Sequence, residues 1–449
     1  ALSQTNSVLY PPEEKASRPG CFHLMNIESQ DASLLTSRAS NPPRPTLIQK
    51  LVLSRMEGIS SGALTIHVSG GQHEFGDAAV TEPHGVVQVK DPRFWRAVAF
   101  RGSIGAGESF SKGWWASPDP AEVVRVFARN QDALVGMEGG LAWLSRPFLS
   151  LYHSLRRNNE SGSRDNIRAH YDVSNEFFAL FLDETMTYSC GIFESETSTL
   201  LEASVAKIDL LCRKLDLKPT DHLLEIGTGW GALALHAARE YGCRVTTTTI
   251  SKEQHDLAAR RFREAGLEDR ITLLSEDYRN LKGSFDKIVS VEMIEAVGAE
   301  YYNEFFECCA RLLKPEGTMA LQAITIADQQ FESARRSVDF IQRHIFPGSC
   351  IPSVTALCSA MTRGSDLRLV DLEDISEHYV KTLATWRGNL AERWSEARAM
   401  GYSDEFLRMW EFYFAYCEGG FAERTIGDVH MLLQRPGARS SKRVRSLQA

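Results

Sequence analysis

The sequence has no excess of positive charge, which is the usual electrostatic signature of a protein that binds nucleic acid. Its 50 Lys and Arg residues are outnumbered by 58 Asp and Glu residues, and the formal net charge is −8 at pH 7. This balance argues against a general nucleic-acid binder, and we expect no nucleic-acid partner.

Long apolar runs and paired cysteines are also missing. No apolar run reaches the roughly 18 residues of a membrane-spanning helix. The first residues show no basic region followed by an apolar stretch, so we predict no signal peptide. The nine cysteines are scattered and form no CxxC pair, which favours reduced thiols over disulfides or structural zinc. We therefore expect a cytoplasmic protein without a metal site.

The length of 449 residues and the apolar content of 43% are enough for two or three domains. Residues 1–45 are rich in Ser and Pro without a hydrophobic period, which predicts a disordered leader. Residues 46–130 predict a small α+β domain, residues 131–165 a helix and polar linker, and residues 166–434 a larger domain. The remainder, residues 435–449, is a basic tail with five Arg or Lys residues and no acid.

In the small domain, the alternating stretches "ALTIHV" and "GVVQV" predict strands. "PRFWRAVAF" and "PAEVVRVFARN" predict helices, and "GSIGAGESFSKGWW" predicts a glycine-rich loop between them. Because this loop ends with Trp114 and Trp115, one hypothesis is that the small domain helps membrane docking or a dimer contact.

The larger domain alternates apolar runs with helical stretches. The runs "HLLEIG", "RVTTTTI", "RITLLS", "FDKIVSV" and "TMALQAITI" predict strands, and stretches such as "WGALALHAAREYG" predict helices between them. Two long helical stretches, roughly 376–400 and 404–422, precede a last strand, "GDVHMLLQR". This alternation is typical of a doubly wound, mostly parallel α/β sheet.

The stretch "LLEIGTGWGALALHA" places Gly227, Gly229 and Gly231 between a strand and a helix, where a ligand can approach the helix N-terminus. The spacing is not that of a dinucleotide site, and the second strand ends without the carboxylate that holds a ribose. Glu225, just before the loop, instead fits a class I methyltransferase that binds the aminoacid end of S-adenosylmethionine. A tight turn without a ligand is the alternative.

Other polar residues stand at predicted strand ends and in a loop. Asp277 and Tyr278 follow the third strand, where an acid and an aromatic ring are suited to adenine. Glu292 and Glu295 end the fourth strand, where a carboxylate serves as a base, an orienter of a base or a neighbour of a helix N-cap. Gln322 lies in a buried strand, where its amide needs hydrogen-bond partners.

Several motifs together resemble the cyclopropane-fatty-acyl-phospholipid synthases and the related mycolic acid methyltransferases. The resemblance runs from about Gly62 to Gln434 and depends on the joint order and spacing of the motifs. They are "AHYDVSNEFFALFLDETMTYSCGIF", "LLEIGTGWG", "TISKEQ", "IVSVEMIEAVG", "LLKPEGTMALQAITI", "HIFPGSCIPS", "HYVKTLATWRGNL" and "FYFAYCEGGFAERTIGDVHMLL". The implied fold is a class I S-adenosylmethionine-dependent methyltransferase with a seven-stranded sheet, helical cap insertions and a small N-terminal domain.

The resemblance also implies an activity. The alkene of an unsaturated phospholipid acyl chain attacks the methyl group of S-adenosylmethionine, a carbocation forms, and loss of a proton closes a cyclopropane. Family members use a bound bicarbonate as the base. The residues that the resemblance assigns to the base site are Cys190, Glu295, the backbone near Ile324, and Tyr379. We expect the amide of Gln322 to donate to the same anion, beside Glu295. The residues that the resemblance assigns to the cofactor, together with Glu225 from the loop pattern, are Tyr188, Ser189, Gly227, Gly229, Gly231, Thr249, Gln254, Asp277 and Tyr278.

The chain departs from the family pattern at Gln322, where many synthases carry His, and at Ala296, where many bacterial synthases carry His. An amide can donate to an anion but cannot become charged, so a methylene- or methyl-branched product stays an alternative to the ring. An inactive lipid- or cofactor-binding protein is an alternative of a different class. We expect a peripheral membrane protein acting on phospholipid, with a homodimer as a further possibility.

Overall fold

The computed structural model describes residues 45–77, 79, 82–131 and 173–439. The predicted leader, the predicted helix and linker of residues 131–165, and the tail beyond Arg439 lie almost entirely outside these residues. The predicted domain boundaries therefore stay predictions.

The N-terminal described segment forms a four-stranded sheet with three helices. Its elements are α1 (Leu47–Met56), β1 (Ala63–Val68), β2 (Gly71–Gly76), β3 (His84–Val89), α2 (Arg93–Ser111), β4 (Trp115–Ala116) and α3 (Pro120–Arg129). The sheet order is β2-β1-β3-β4, with β1 antiparallel to β2 and parallel to β3. The side chains of Leu64, Ile66 and Val87 lie on the buried face of this sheet.

The prediction of a glycine-rich loop after "PRFWRAVAF" is wrong, because α2 continues through that stretch to Ser111 with one interruption at Gly102 (φ 52°). The glycines allow close packing. A Cβ atom on Gly105 would lie 2.1 Å from the carbonyl oxygen of Ala97, and one on Gly107 would lie 2.4 Å from the ring of Phe340. Tertiary contacts, which the local glycine count does not reveal, decide the conformation here.

Trp115 is also not available for membrane docking. It is buried, donates its indole N–H to the carbonyl of Ala106 (2.9 Å), and packs against Phe110 and Phe412. Trp114 is partly exposed and lies beneath the guanidinium of Arg93. The two tryptophans therefore do not form a shared exposed anchor.

The larger sheet confirms the predicted doubly wound, mostly parallel architecture. Its strands are β5 (His222–Ile226), β6 (Arg244–Thr248), β7 (Ile271–Leu274), β8 (Phe285–Val291), β9 (Leu313–Ile326), β10 (Arg368–Asp374) and β11 (Ile426–Gln434). Their order is β10-β11-β9-β8-β5-β6-β7, and only β11 runs antiparallel to its neighbours. The inner strands are largely buried on both faces, which explains the apolar runs in most of them, whereas the edge strands β7 and β10 are partly exposed.

Helices on both faces and above the sheet complete the fold. They are α4 (Asn175–Phe178), α5 (Leu200–Lys214), α6 (Ala232–Glu240), α7 (Lys252–Glu264), α8 (Tyr302–Leu312), α9 (Asp328–Ala334), α10 (Phe340–His344), α11 (Val354–Gly364), α12 (Ser376–Glu392), α13 (Trp394–Ala399) and α14 (Asp404–Ala422). Capping residues mark where some of these helices begin: Thr199 and Glu202 form a capping box at the start of α5, and Ser251 caps α7.

An aromatic cluster joins helices α12 and α14, which we call the cap, to the segment before the sheet. Phe177, Phe178 and Phe181 are fully buried, and they surround Trp410. α14 also packs against α3 and α2, and its last turn is tied by ion pairs from α3 to Glu423. The cap and the N-terminal segment thus share one apolar interior.

Two features at the carboxyl edge of the sheet prepare the site. The loop after β5 has positive φ at Gly227 (102°), Gly229 (51°) and Gly231 (89°). Directly after β8, Glu292 also has a positive φ, 46°. For a residue with a side chain, this left-handed conformation costs roughly 1–2 kcal/mol, and such strain is found mostly at functional sites.

Candidate active site

A single large cavity runs along the carboxyl ends of β5, β6, β8 and β9 and continues beneath the cap. Its volume is about 1310 Å³, larger than the ~300–1,000 Å³ of a typical ligand pocket. Most of the predicted site residues line it. They are Tyr188, Ser189, Glu225, Gly227, Gly229, Thr249, Gln254, Asp277, Tyr278, Glu295, Ile324 and Tyr379.

The glycine loop divides into ligand-facing and structural positions. A Cβ atom on Gly229 would meet nothing within 4 Å, so the backbone there borders open space. Gly231 does not line the cavity and is the N-cap of α6, where a Cβ atom would lie 2.6 Å from the ring of Phe262. Gly231 is therefore placed to let α6 and α7 pack closely.

The floor of the cavity beneath this loop carries a buried acid. Glu225 accepts a hydrogen bond from the hydroxyl of Thr247 (2.6 Å), and burial raises the pKa of its carboxyl to about 8. Along the same edge, the Thr249 hydroxyl donates to the amide oxygen of Gln254 (2.9 Å). A positively charged ligand above Glu225 would favour its ionised form.

Asp277 and Tyr278 lie at the end of β7 in a short 3₁₀ turn. The Asp277 carboxylate is held by the guanidinium of Arg279, with hydrogen bonds at 2.8 and 2.7 Å that fix its orientation. The Tyr278 ring packs edge-on against Phe305. The structure thus brings the predicted acid and ring to the cavity wall, with Arg279 as a partner that the sequence did not indicate.

The Tyr188-Ser189-Cys190 stretch crosses the opposite wall. Tyr188 hydrogen-bonds the hydroxyl of Tyr413 (3.0 Å), and the Ser189 hydroxyl accepts from the ammonium of Lys207 (2.6 Å). Cys190 is fully buried and does not line the cavity; its thiol donates to the carbonyl of Gly191 (3.3 Å). Burial holds the pKa of this thiol well above its usual range.

The most densely bonded group of the site is the carboxylate of Glu292. Its Oε1 accepts from the backbone N–H of Cys190 (2.8 Å) and from Nε2 of Gln322 (2.7 Å), and its Oε2 accepts from the hydroxyl of Tyr379 (2.6 Å). These donors come from three of the residues that were expected to hold an anion. For Cys190 the donor is the backbone N–H and not the thiol.

Gln322 is fully buried and does not reach the cavity. Besides Glu292, its amide nitrogen donates to Oδ2 of Asp428 (2.9 Å), and its amide oxygen lies 3.1 Å from Nε2 of His430. Because an amide oxygen only accepts, Nε2 of His430 carries the hydrogen. Burial lowers the pKa of His430 well below its usual value, so the imidazole is neutral.

Glu295 occupies a different position from the one expected beside Gln322. Its Oε1 accepts from the backbone N–H of Ile324 (2.5 Å), while its Oε2 is buried without a hydrogen-bond partner in the described part of the chain. Burial and, secondly, the charge of Glu292 raise the pKa of Glu295 to about 8. This carboxyl therefore holds its proton at neutral pH.

A third buried acid and a buried lysine set the charge of this network. Asp428 lies beside Glu292, since both carboxyl groups accept from the amide nitrogen of Gln322, and burial raises the pKa of Asp428 well above its usual value. Burial raises the pKa of Glu292 too, but the hydrogen bonds from Tyr379 and Cys190 and the charge of Lys207 oppose this rise, and we therefore assign the proton to Asp428. Glu292 is then the anion. Burial lowers the pKa of Lys207, and the charge of Glu292 opposes this shift and favours the ammonium form.

The site fits one of the two small molecules implied by the resemblance. The open glycine loop and the polar wall from Glu225 to Tyr278 suit S-adenosylmethionine. A bicarbonate does not fit, because the donors at Cys190, Gln322 and Tyr379 are engaged by Glu292 and the N–H of Ile324 is engaged by Glu295. Within the described ranges no group of three or more His, Cys, Asp or Glu is placed to hold a metal ion.

Sequence reasoning left Glu292 and Glu295 with three alternative roles, as a base, an orienter of a base or a neighbour of a helix N-cap, and it missed Lys207, Asp428 and His430. The available signal was polarity inside strands: Asp428 and His430 alternate on one face of the otherwise apolar β11, and Glu292 follows directly on β8. Lys207 lies in an amphipathic helix, where nothing in the local sequence distinguishes a buried lysine from an exposed one.

The chain is similar to several known proteins. A family model described as mycolic acid cyclopropane synthetase matches residues 158–431. A tuberculostearic acid methyltransferase of Mycobacterium tuberculosis is 38% identical over 350 residues, covering 76% of this chain and 81% of that protein. A cyclopropane-fatty-acyl-phospholipid synthase of Escherichia coli K12 is 36% identical over 343 residues, covering 76% and 85%.

A solved structure shows the same likeness in three dimensions. The mycolic acid cyclopropane synthase CmaA1, complexed with SAH and CTAB, superposes with a TM-score of 0.57 at 32% identity. The match covers 60% of this chain and 98% of that one. It supports S-adenosylmethionine as the cofactor of this fold.

Proposed function

Because this chain belongs to the mycolic acid cyclopropane synthetase family and is an S-adenosylmethionine-dependent C-methyltransferase, we propose that it methylates the double bond of an unsaturated phospholipid acyl chain and forms a cyclopropane. The observation that carries this proposal is the single cavity that joins the glycine loop, a buried acid cluster and a long apolar wall. These are the three parts that methyl transfer to an acyl chain needs.

The cofactor end of the cavity is built by the glycine loop and its neighbours. S-adenosylmethionine, when bound, supplies an electrophilic methyl group. Gly227 and Gly229 would hold its aminoacid end, and Asp277 and Tyr278 would face its adenine. Arg279 keeps the Asp277 carboxylate in one orientation, which favours one position of the base.

The apolar end suits an acyl chain. Ile324, Leu383 and Phe421 line the cavity next to Tyr379, and the lining continues through Phe346 and Ile326. Beyond α14, apolar residues of the N-terminal segment extend the same cavity. A wall of this kind binds hydrocarbon by removing it from water and keeps water away from a cationic acyl chain.

The acid cluster and aromatic rings stand where the two ends meet. The rings of Tyr188 and Tyr379 line this junction and can stabilise a positive charge on the acyl chain through their faces. Glu292 and Glu295 line it too. The donors assigned to bicarbonate are engaged by these carboxyl groups, so the proposal includes no step through a free anion.

A methylene- or methyl-branched product is the second candidate. The relative in Mycobacterium tuberculosis that is 38% identical is named a tuberculostearic acid methyltransferase and not a cyclopropane synthase. The methyl transfer is the same in both cases, and the position from which the proton is lost decides the product.

For the partner we propose phospholipid at a membrane surface, with peripheral association and no nucleic acid; a homodimer is compatible with the proposal. In the described ranges, no helix combines the length and apolarity needed to cross a bilayer. The basic residues of the tail would add electrostatic attraction to an anionic surface, about 1 kcal/mol for each Lys or Arg near it.

The test is an assay with dioleoyl phospholipid vesicles and S-adenosylmethionine labelled in its methyl group. We expect release of S-adenosylhomocysteine and labelled acyl chains that mass spectrometry with ring-versus-branch assignment identifies as cyclopropanes. A branched product would select the second candidate. No release from vesicles, in a protein that binds the cofactor and methylates a short soluble alkene or amine, would contradict the proposal.

A further inference from the structure

We infer that Glu292 is the base that removes the proton during ring closure, in the place that the family resemblance gives to a bound bicarbonate. The inference is based on the proposed function, since it names the proton acceptor of that reaction. The enzyme then carries its base as part of its own chain.

The first support is the arrangement of donors. The backbone N–H of Cys190, the amide of Gln322 and the hydroxyl of Tyr379 approach the Glu292 carboxylate at 2.8, 2.7 and 2.6 Å. They come from a loop, a strand and a cap helix that are distant in sequence. Donors from three separate elements that meet on one carboxylate form an anion site, and the anion in it is a side chain.

The second support is the backbone of Glu292. Its φ of 46° is a conformation that glycine adopts freely and that residues with a side chain rarely adopt. The backbone N–H of Glu292 donates to the carbonyl of Gln322 (2.9 Å), which fixes the turn beside the donors. The strained conformation aims the carboxylate into the donor cluster, as expected when such strain is kept for a function.

The third support is the distribution of charge. Asp428 accepts from the same Gln322 amide nitrogen as Glu292 and carries the proton of the pair, because burial raises its pKa well above the usual value. Lys207 lies in the same buried cluster with its ammonium on Ser189 (2.6 Å). One carboxylate can thus stay ionised inside a mostly apolar wall. A separate bicarbonate would have to compete with the ionised Glu292 for the same donors, and two anions in contact repel.

The proton transfer balances without any further reagent. After methyl transfer the acyl chain carries one positive charge, beside the carbon that received the methyl group. A proton leaves that methyl carbon for an oxygen of Glu292, and the electron pair of the broken C–H bond forms the last C–C bond of the ring. Glu292 becomes a neutral acid, and release of its proton to solvent restores the anion.

The experiment compares Glu292→Gly and Glu292→Gln with the unchanged protein. Glycine suits the positive φ and opens the space of the side chain, whereas glutamine fills that space but cannot act as a base. The matched control is Asp216→Gly, which removes an acid with a φ of 51° outside the cavity. All variants are first tested for folding and for affinity to S-adenosylhomocysteine.

Binding of ¹³C-bicarbonate, measured by NMR saturation transfer, gives a readout that needs no turnover. We expect no binding at this site in the unchanged protein or in Asp216→Gly, and binding in Glu292→Gly. Binding to the unchanged protein that is lost in Tyr379→Phe would overturn the inference. This result stands whatever the vesicle assay gives, so failure of the proposed function is distinguishable from failure of the inference.

In the vesicle assay, we expect Glu292→Gln to lose activity by about 10²–10⁴-fold, the usual contribution of a general base. We expect bicarbonate to restore activity to Glu292→Gly and to leave Glu292→Gln inactive. Near-normal ring formation by Glu292→Gln would contradict the inference. So would failure of bicarbonate to restore a folded, cofactor-binding Glu292→Gly protein.

Discussion

The two ends of the active site are built on opposite principles. At the cofactor end, a glycine loop borders open space and the polar side chains line a wall. At the acid end, Glu292 takes up the donors of Cys190, Gln322 and Tyr379, so this part of the site is already internally bonded. The difference indicates that the cofactor end is open to receive a ligand, whereas the acid end carries its reactive group, the carboxylate of Glu292, as part of the chain.

The strongest test of the acid end is Gln322→Leu. The leucine removes one buried hydrogen bond from each of Glu292, Asp428 and His430, and each loss costs about 1–3 kcal/mol. We expect a large loss of both the free energy of unfolding and the activity, measured by urea denaturation and by the vesicle assay. The volume-conserving Leu321→Met on the same strand is the control. A normal unfolding curve would show that the network is not formed as described.

Tyr379→Phe should separate activity from cofactor binding. It removes one charge-assisted hydrogen bond to Glu292, worth about 1.5–3 kcal/mol, which corresponds to roughly tenfold to a hundredfold in rate. We expect kcat to fall by that factor while the Kd for S-adenosylhomocysteine, measured calorimetrically, stays the same. A change in Kd with kcat preserved would place Tyr379 at the cofactor end instead.

Two glycine substitutions test the cofactor end. Gly229→Ala and Gly231→Ala both place a methyl group at positive φ, at a similar backbone cost of about 1–2 kcal/mol. Only at Gly231 does that methyl group meet Phe262, whereas at Gly229 it enters open space. We expect Gly231→Ala to lose more stability and Gly229→Ala to lose more affinity for S-adenosylhomocysteine. The opposite pattern would reverse the assignment of the two glycines.

The smallest effect at pH 7 is expected for Glu295→Gln, which mimics the protonated acid. The pKa of Glu295 is raised from 4.5 to about 8, so the folded state holds a proton that the unfolded state has lost. The stability contribution of this group is complete below pH 4.5 and is lost as pH rises to 8. In Glu295→Gln this decline should be absent and activity above pH 8 should be better preserved. Identical pH profiles would contradict the assigned protonation.

The strands, the glycine loop and the family were predictable because their signals are local. The apolar runs from β5 to β9 and the spacing of the three glycines each lie within a few adjacent residues. The partners of Gln322 were not predictable in this way, since Asp428 is 106 residues distant in sequence. The helical course of "GSIGAGESF" escaped prediction for the same reason, because Phe340 and the neighbouring turn of α2 decide it.

The most direct test of the built-in base is the rate of the unchanged enzyme with and without bicarbonate. Protein, vesicles and S-adenosylmethionine are freed of carbon dioxide under argon, and initial rates are measured before and after bicarbonate is added. If Glu292 is the base, the two rates agree within error and Glu292→Gly alone responds to the addition. If the unchanged enzyme stops without bicarbonate and recovers with it, a free anion is the base and the account of the acid end is wrong.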